Sequence, residues 1–285
     1  MVSAASTPAD SWNSAAYGPS GIKGLVQEPY LFSLACFASI GGVLFGYDQG
    51  VISGVLVMSS FVSLPGFPAS AHLERAADVH QADLFPSLAH DAGLQGWMVS
   101  VLTLGAMFGA FVNGPICDRF SRRWSLLYAN IAFLAGSVLQ CAAQDIPMIF
   151  VGRFLAGFAI GMLSMVVPLY ISELAPPNIR GSLVALQQLG ITVGIMVAFW
   201  LEYGTQYIGG TGSHQSEAAW RFPLAFQCVP SLVLGAGAFF LPYSPRWLMM
   251  QGMSLEAGII LTQVLIRFLQ DAKKKHVVLW CDCDA

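Results

Sequence analysis

Two residues of types that hydrocarbon excludes stand inside apolar runs of this sequence: Asp48 in GGVLFGYDQGVISG and Arg153 in VGRFLAGFAIGMLSMVV. A charge within a membrane-spanning segment is costly, wants a partner, and marks ion or substrate pathways. The two are opposite in sign and lie on separate runs, which points to a pathway; a purely structural tie between helices is the competing reading. Phe45 lies three residues before Asp48 and shares its helix face, so an aromatic ring and a carboxylate look into the same space. Gln187 and Gln188 form an amide pair in a further apolar run, where they must face protein or a wet cavity. The alternative for the pair is glue between helices.

These groups need membrane helices to position them, and the composition supplies such helices. Of 285 residues, 55% are hydrophobic and only 10% charged, against roughly 25% charged in an ordinary soluble domain. Mean hydropathy is +0.63. A net charge of -3 without a basic stripe excludes nucleic acid as a partner. Cys36, Cys117, Cys141 and Cys228 are scattered singly and read as packing residues. Cys281 and Cys283 beside His276 lack the second ligand pair of a structural zinc site, so neither a metal site nor a cofactor is expected. No nucleophile constellation or phosphate loop points to an enzyme.

In chain order, residues 1–29 read as a disordered cytosolic leader. Six spans follow: Tyr30 to about Met58, Leu94 to Val112, Ser125 to Ala143, a fourth ending at Pro168, Ser182 to Trp200, and Arg221 to Leu241. Glycines recur every fourth residue in the first span (Gly42, Gly46, Gly50, Gly54), the second (Gly105, Gly109), the fourth (Gly157, Gly161) and the fifth (Gly190, Gly194). Such spacing bares one helix face for close packing. Spans three and six lack it, which predicts that they sit outermost, against lipid. Gly114–Trp124 reads as a short charged connection and Ser172–Gly181 as a tight loop. Residues 253–285 read as a tail with an amphipathic helix that could lie on the membrane surface. With the leader placed inside, ten of the thirteen Lys and Arg fall on that side and only Arg75 and Arg221 outside, so both termini are expected in the cytosol. Six spans opening twice with a charged helix predict a six-helix half-bundle built as a 3+3 inverted repeat.

At this point a resemblance becomes visible. GGVLFGYDQGVISG, GPICDRFSRR, VGRFLAGFAIG, PLYISELAPPNIRG, LQQLGITVGI and LPYSPRWL, in this order from Tyr30 to Gly252, resemble the sugar-porter family of the major facilitator superfamily, most of all its fungal hexose and disaccharide members. The resemblance implies a sugar as substrate, alternating access, and a multi-pass protein of the plasma membrane. By it, Asp48 corresponds to the acid that proton-coupled members use and Arg153 to the arginine paired with it. Gln188 corresponds to a glutamine that hydrogen-bonds sugar hydroxyls, with Gln187, Ile191 and Ile195 expected on the same face and Phe45 over the sugar. Asp118, Arg119, Arg122, Arg123, Glu173, Arg180 and Arg246 correspond to a cytosolic charge network that latches the inner gate; as a bland alternative the basic ones would only set topology.

Three departures qualify the resemblance. Ser121 stands where the loop motif carries glycine, a mild change if the backbone there avoids positive φ. Tyr243 replaces an acid, which would leave Arg246 short of a partner. After about Gly252 the resemblance stops, so the sequence is expected to represent a truncated N-terminal half with domains 1–29, 30–252 and 253–285. The alternative is a non-transporting sugar sensor, or a regulatory half that pairs with another half or a full-length relative.

Overall fold

The computed structural model describes residues 29–62, 92–177, 179–208 and 215–253, together with 21, 25, 64, 210, 255, 256 and 258. Nearly all of the expected leader, nearly all of residues 63–91 and nearly all of the tail, including Cys281, Cys283 and His276, lie outside the described residues. The described chain is helical: α1 Pro29–Ala38, α2 Ile40–Val55, α3 Ser59–Val62, α4 Ala92–Phe120, α5 Arg122–Cys141, α6 Ile146–Leu174, α7 Arg180–Thr205, α8 Ala218–Phe226, α9 Cys228–Ala238 and α10 Pro245–Met250. Helix is the form that satisfies every backbone polar group within a segment surrounded by hydrocarbon. Five helical stretches are long and apolar enough to cross a membrane: Pro29–Val55, Gly93–Phe120, Arg122–Cys141, Ile146–Leu174 and Arg180–Thr205.

The first of these joins α1 to α2 through Ser39, whose hydroxyl donates to the Ala35 carbonyl at 2.7 Å, a back-bond of the kind that bends helices. The sixth expected span is present as two short helices, α8 and α9. They meet at Gln227, which keeps helical torsions (φ -61°, ψ -20°). Pro230 has no N–H to offer the Phe226 carbonyl, so the ladder is interrupted there.

Three expected boundaries are corrected. The fourth span does not end at Pro168; α6 runs through it to Leu174, which puts Glu173 on a helix rather than in a loop. The second span runs through Pro115 to Phe120, so the charged connection of the sequence reading is mostly helix and the chain turns only at Ser121. The fifth span extends to Thr205 and buries Glu202, which the sequence reading left in a loop.

Glycine decides which helices touch. A Cβ on Gly46 would collide with the Ile191 carbonyl oxygen, and one on Gly42 would lie 2.7 Å from the Gln187 oxygen. In return Gly194 faces the Val43 carbonyl and Gly190 the Ser39 carbonyl. So α2 and α7 meet backbone to backbone. The same device joins α4 to α6: Gly105 and Gly109 face the Phe154 and Phe158 carbonyls, while Gly157 and Gly161 face those of Leu102 and Ala106.

Within the described helices span three, expected outermost with span six, is not the least covered. In its most apolar stretch α5 has 44% of residues buried, against 22% in α4 and 28% in α7. A lone glycine pair suffices to draw it in, since a Cβ on Gly136 would sit 2.6 Å from the Ala156 nitrogen of α6. With 61% of its most apolar stretch buried, α6 is the most enclosed of the spans.

Candidate functional site

Asp48 and Arg153 are both fully buried, the first on α2 and the second on α6. Arg153 spends one donor on the architecture: its Nε–H donates to the Met98 carbonyl of α4 at 3.1 Å. Its two terminal nitrogens and both carboxylate oxygens of Asp48 have no hydrogen-bond partner. The two side chains lie within electrostatic reach of each other, but no ion pair joins them among the described residues. The expected contact is therefore open in this conformation. Two opposite buried charges with vacant hydrogen-bonding capacity are costly as they stand.

Sequence reasoning missed a third polar group of this kind. Gln227, at the α8–α9 break, is fully buried and neither amide atom has a partner. Two residues just before it in sequence touch Tyr47, the neighbour of Asp48: the Tyr47 hydroxyl donates to the Pro223 carbonyl at 2.8 Å, and the Tyr47 and Phe226 rings are 5.7 Å apart. The signal that could have found it is a lone amide in the apolar run LAFQCVP.

The expected sugar-contacting residues divide. Gln187, Ile191 and Ile195 form one stripe of α7, but that stripe lies in the seam with α2, against Gly42, Gly46 and Gly50. Gln187 is buried there, and Phe45 is half-buried. Gln188 departs from the expectation of a shared face: one residue on, and so about 100° round the helix, it is exposed on the open side of α7. Thr192, a turn further, is exposed there too, its hydroxyl donating to the Leu189 carbonyl at 2.8 Å.

The charge network at the other end is largely assembled. Arg122 Nη2 lies 3.0 Å from Glu173 Oε1, both side chains almost wholly buried, and 3.5 Å from Asp118, which is exposed. Arg122 Nη1 also donates to the Cys117 carbonyl at 3.2 Å. The second Glu173 oxygen accepts from Ser244 Oγ, and the same Ser244 oxygen caps α10 by accepting from the Trp247 N–H at 3.4 Å. The ends of α4, α5, α6 and α10 thus converge on one buried ion pair.

Tyr243, expected to leave Arg246 short of a partner, meets Arg123 instead. The Arg123 guanidinium sits 5.3 Å from its ring centroid, a cation–π contact in place of an ion pair. Arg123 Nη2 also donates to the Phe239 carbonyl. Arg119, Arg180 and Arg246 stay outside the network: Arg119 lies over Phe120, Arg180 donates to the Ala175 carbonyl at 3.3 Å, and Arg246 is exposed. The Ser121 expectation is corrected: its φ is +84° with ψ 151°, the backbone shape glycine serves.

A bundle of apolar helices zipped by glycine and enclosing isolated charges defines a multi-pass integral membrane protein, and its fold is that of a major facilitator. The structure aligns with the E. coli proton:xylose symporter XylE bound to 6-bromo-6-deoxy-D-glucose, with a TM-score of 0.70 and 28% identity, over 87% of this chain and 53% of that one. The inward-open form of the same E. coli transporter gives 0.67 over 87% and 56%. The family model described as sugar (and other) transporter matches residues 34–278, running past Gly252, and the chain belongs to that family. Among curated relatives, the MFS glucose transporter mfs1 of Aspergillus flavus is 34% identical over 220 residues, 76% of this chain and 38% of its own. The H(+)/hexose cotransporter 2 of Parachlorella kessleri is 37% identical over 223 residues, 78% and 39%. The chain thus spans about two fifths of the length of these curated relatives.

Proposed function

We propose that this chain is the N-terminal half of a sugar transporter that couples sugar movement to protons by alternating access. The observation that carries the reading is the buried pair of Asp48 and Arg153, opposite in charge, unpartnered, and placed on the two helices that each head a glycine seam. A protonated Asp48 has no need of Arg153 and a deprotonated one does, so proton binding biases how α2 and α6 sit. If sugar binding biases the same arrangement, the two share one conformational equilibrium. The relatives named for proton:xylose and H(+)/hexose transport support a hexose or related sugar as cargo.

Gln188 and Thr192 on the open side of α7 supply the donors and acceptors that sugar hydroxyls need. Gln187, Ile191, Ile195 and Phe45 form the wall behind them. Asp118, Arg122, Arg123 and Glu173 latch the cytosolic gate, with Arg119, Arg180 and Arg246 joining in another conformation; the basic residues then place both termini in the cytosol, in the plasma membrane. The exposed faces of α4 (Leu104, Phe108, Phe111) and α7 (Leu189, Met196, Phe199) are where a second six-helix half covers the sugar site. A regulatory or sensing half that pairs with a full-length relative is the second reading, and it uses the same face.

The test is uptake of labelled hexose into proteoliposomes holding residues 1–252 fused to the C-terminal half of the Parachlorella cotransporter. Accumulation should follow an inwardly directed proton gradient, and Asp48→Asn should abolish accumulation while leaving exchange. Gradient-driven accumulation in Asp48→Asn would refute coupling through this residue, and sugar binding with no uptake would favour the regulatory reading.

A further inference from the structure

At the end of the bundle that holds the Arg122–Glu173 pair, a cavity of about 460 Å³ opens beside the latch, and of its lining the transport reading uses Arg119 alone. Phe120 at the end of α4, Trp124 and Tyr128 on the first turns of α5, and Tyr243 and Trp247 around α10 line it. The rings are held in a fixed arrangement. Phe120 meets Tyr128 edge-on at 6.1 Å, Trp124 lies 6.4 Å from Tyr128, and Tyr243 stacks on Trp247 at 5.9 Å. Trp247 is further pinned by its Nε1–H, which donates to the Asp118 carbonyl at 3.0 Å. Two charges of opposite sign complete the lining, Arg119 and Glu256, both exposed.

Clustered aromatic rings attract a cation that has no N–H to donate, because the ring face itself carries the negative charge. A guanidinium recognises a phosphate. Rings, one guanidinium and one carboxylate together match a zwitterion with a quaternary ammonium at one end and a phosphate at the other. The depth fits as well: α4 has 29 residues, roughly 43 Å at 1.5 Å per residue, longer than a hydrocarbon core of about 30 Å. Its last residues therefore reach headgroup level. We propose that this cavity binds the phosphocholine headgroup of a membrane phospholipid, the trimethylammonium among the rings of Trp124, Tyr128 and Trp247 and the phosphate on Arg119. Glu256 balances the ammonium charge. The proposal needs the chain to span a bilayer and is independent of what it carries.

An aromatic belt explains single interfacial rings without any site, and the experiment separates the two. The full 285-residue chain, purified in an uncharged detergent, is offered equal amounts of phosphatidylcholine, phosphatidylethanolamine and phosphatidic acid of one acyl composition, and retained lipid is counted by native mass spectrometry. Phosphatidylcholine should be retained about fivefold or more over the other two. Trp124→Leu should erase that preference, and Phe240→Leu, an equally apolar change at a residue 88% exposed elsewhere, should not. If Trp124→Leu is not monodisperse, Tyr128→Leu, at an exposed ring of the cavity, should cut the preference over phosphatidylethanolamine, and Glu256→Gln at the rim the preference over phosphatidic acid, which has no ammonium. Equal retention of phosphatidylcholine and phosphatidylethanolamine, tightest retention of phosphatidic acid, or a preference that survives these substitutions overturns the proposal.

Discussion

The seam between α2 and α7 and the seam between α4 and α6 are built by one device and used differently. In each, small residues let carbonyls of the opposite helix approach to backbone contact. The α4–α6 seam ties its buried polar side chains to the backbone of the facing helix: Asn113 of α4 donates to the Met162 carbonyl at 3.0 Å, and Arg153 of α6 to the Met98 carbonyl at 3.1 Å. The α2–α7 seam instead encloses a buried amide and a buried carboxylate, Gln187 beside Gly42 and Glu202 beside Gly54. Asp48 stands on α2 about half a turn round from the glycines of that seam. Close packing is the same in both, so chemistry is set by which side chains the glycines leave uncovered. One seam anchors the buried arginine, and the buried acid Asp48 stands on a helix of the other.

The strongest way to break this comparison is to fill the glycines. Gly46→Val and Gly109→Val should each separate its own helix pair, with a loss of at least about 3 kcal/mol, since neither the Ile191 nor the Phe158 carbonyl can retreat. Gly181→Val, with nothing within 4 Å of its Cβ position, should leave packing intact. Thermal unfolding in detergent checks all three, and equal losses would mean that the seams do not define the bundle.

Next in size is the latch. Glu173→Gln leaves Arg122 buried without its charge partner and should cost about 3 kcal/mol. Asp118→Asn, on a side chain 62% exposed, should cost less than about 1 kcal/mol. Denaturant titration of the two variants would sharpen the contrast between a buried and an exposed acid on one arginine.

Smaller still, Ser121→Gly should stabilise the chain by about 1–2 kcal/mol, because it relieves the φ of +84° and removes a buried hydroxyl without a partner. Smallest is Tyr243→Leu, which should cost about 0.5–1 kcal/mol through the lost Arg123 contact, whereas Tyr243→Phe should be neutral. A raised melting temperature in the first and a silent phenylalanine in the second are the outcomes to look for.

The spans, their order and the glycine faces are legible in the sequence because hydropathy and a period of four are local properties. Partner choice is not: nothing in the spacing of Gly105 and Gly109 says that α6, rather than another glycine-bearing helix, receives them. Helix ends were misread wherever proline or charge stood in for a boundary. Pro115 and Pro168 both lie inside helices, since a long span buried among neighbours tolerates one missing hydrogen bond. Asp48, Arg153 and the Arg122–Glu173 pair are visible as charges in the wrong place. Gln227 and Ser244 are not, because a single amide or hydroxyl carries no signal until the fold shows it buried. The face of Gln188 was misjudged because adjacent residues on a helix point about 100° apart.

In the proposed coupling, Asp48 exchanges a proton inside the bundle under the influence of Arg153. Infrared difference spectroscopy of the full chain across a pH titration measures this directly. The account predicts a carboxylic acid band that titrates, disappears in Asp48→Asn, and changes its midpoint in Arg153→Gln. An identical titration in the parent chain and in Asp48→Asn would contradict it.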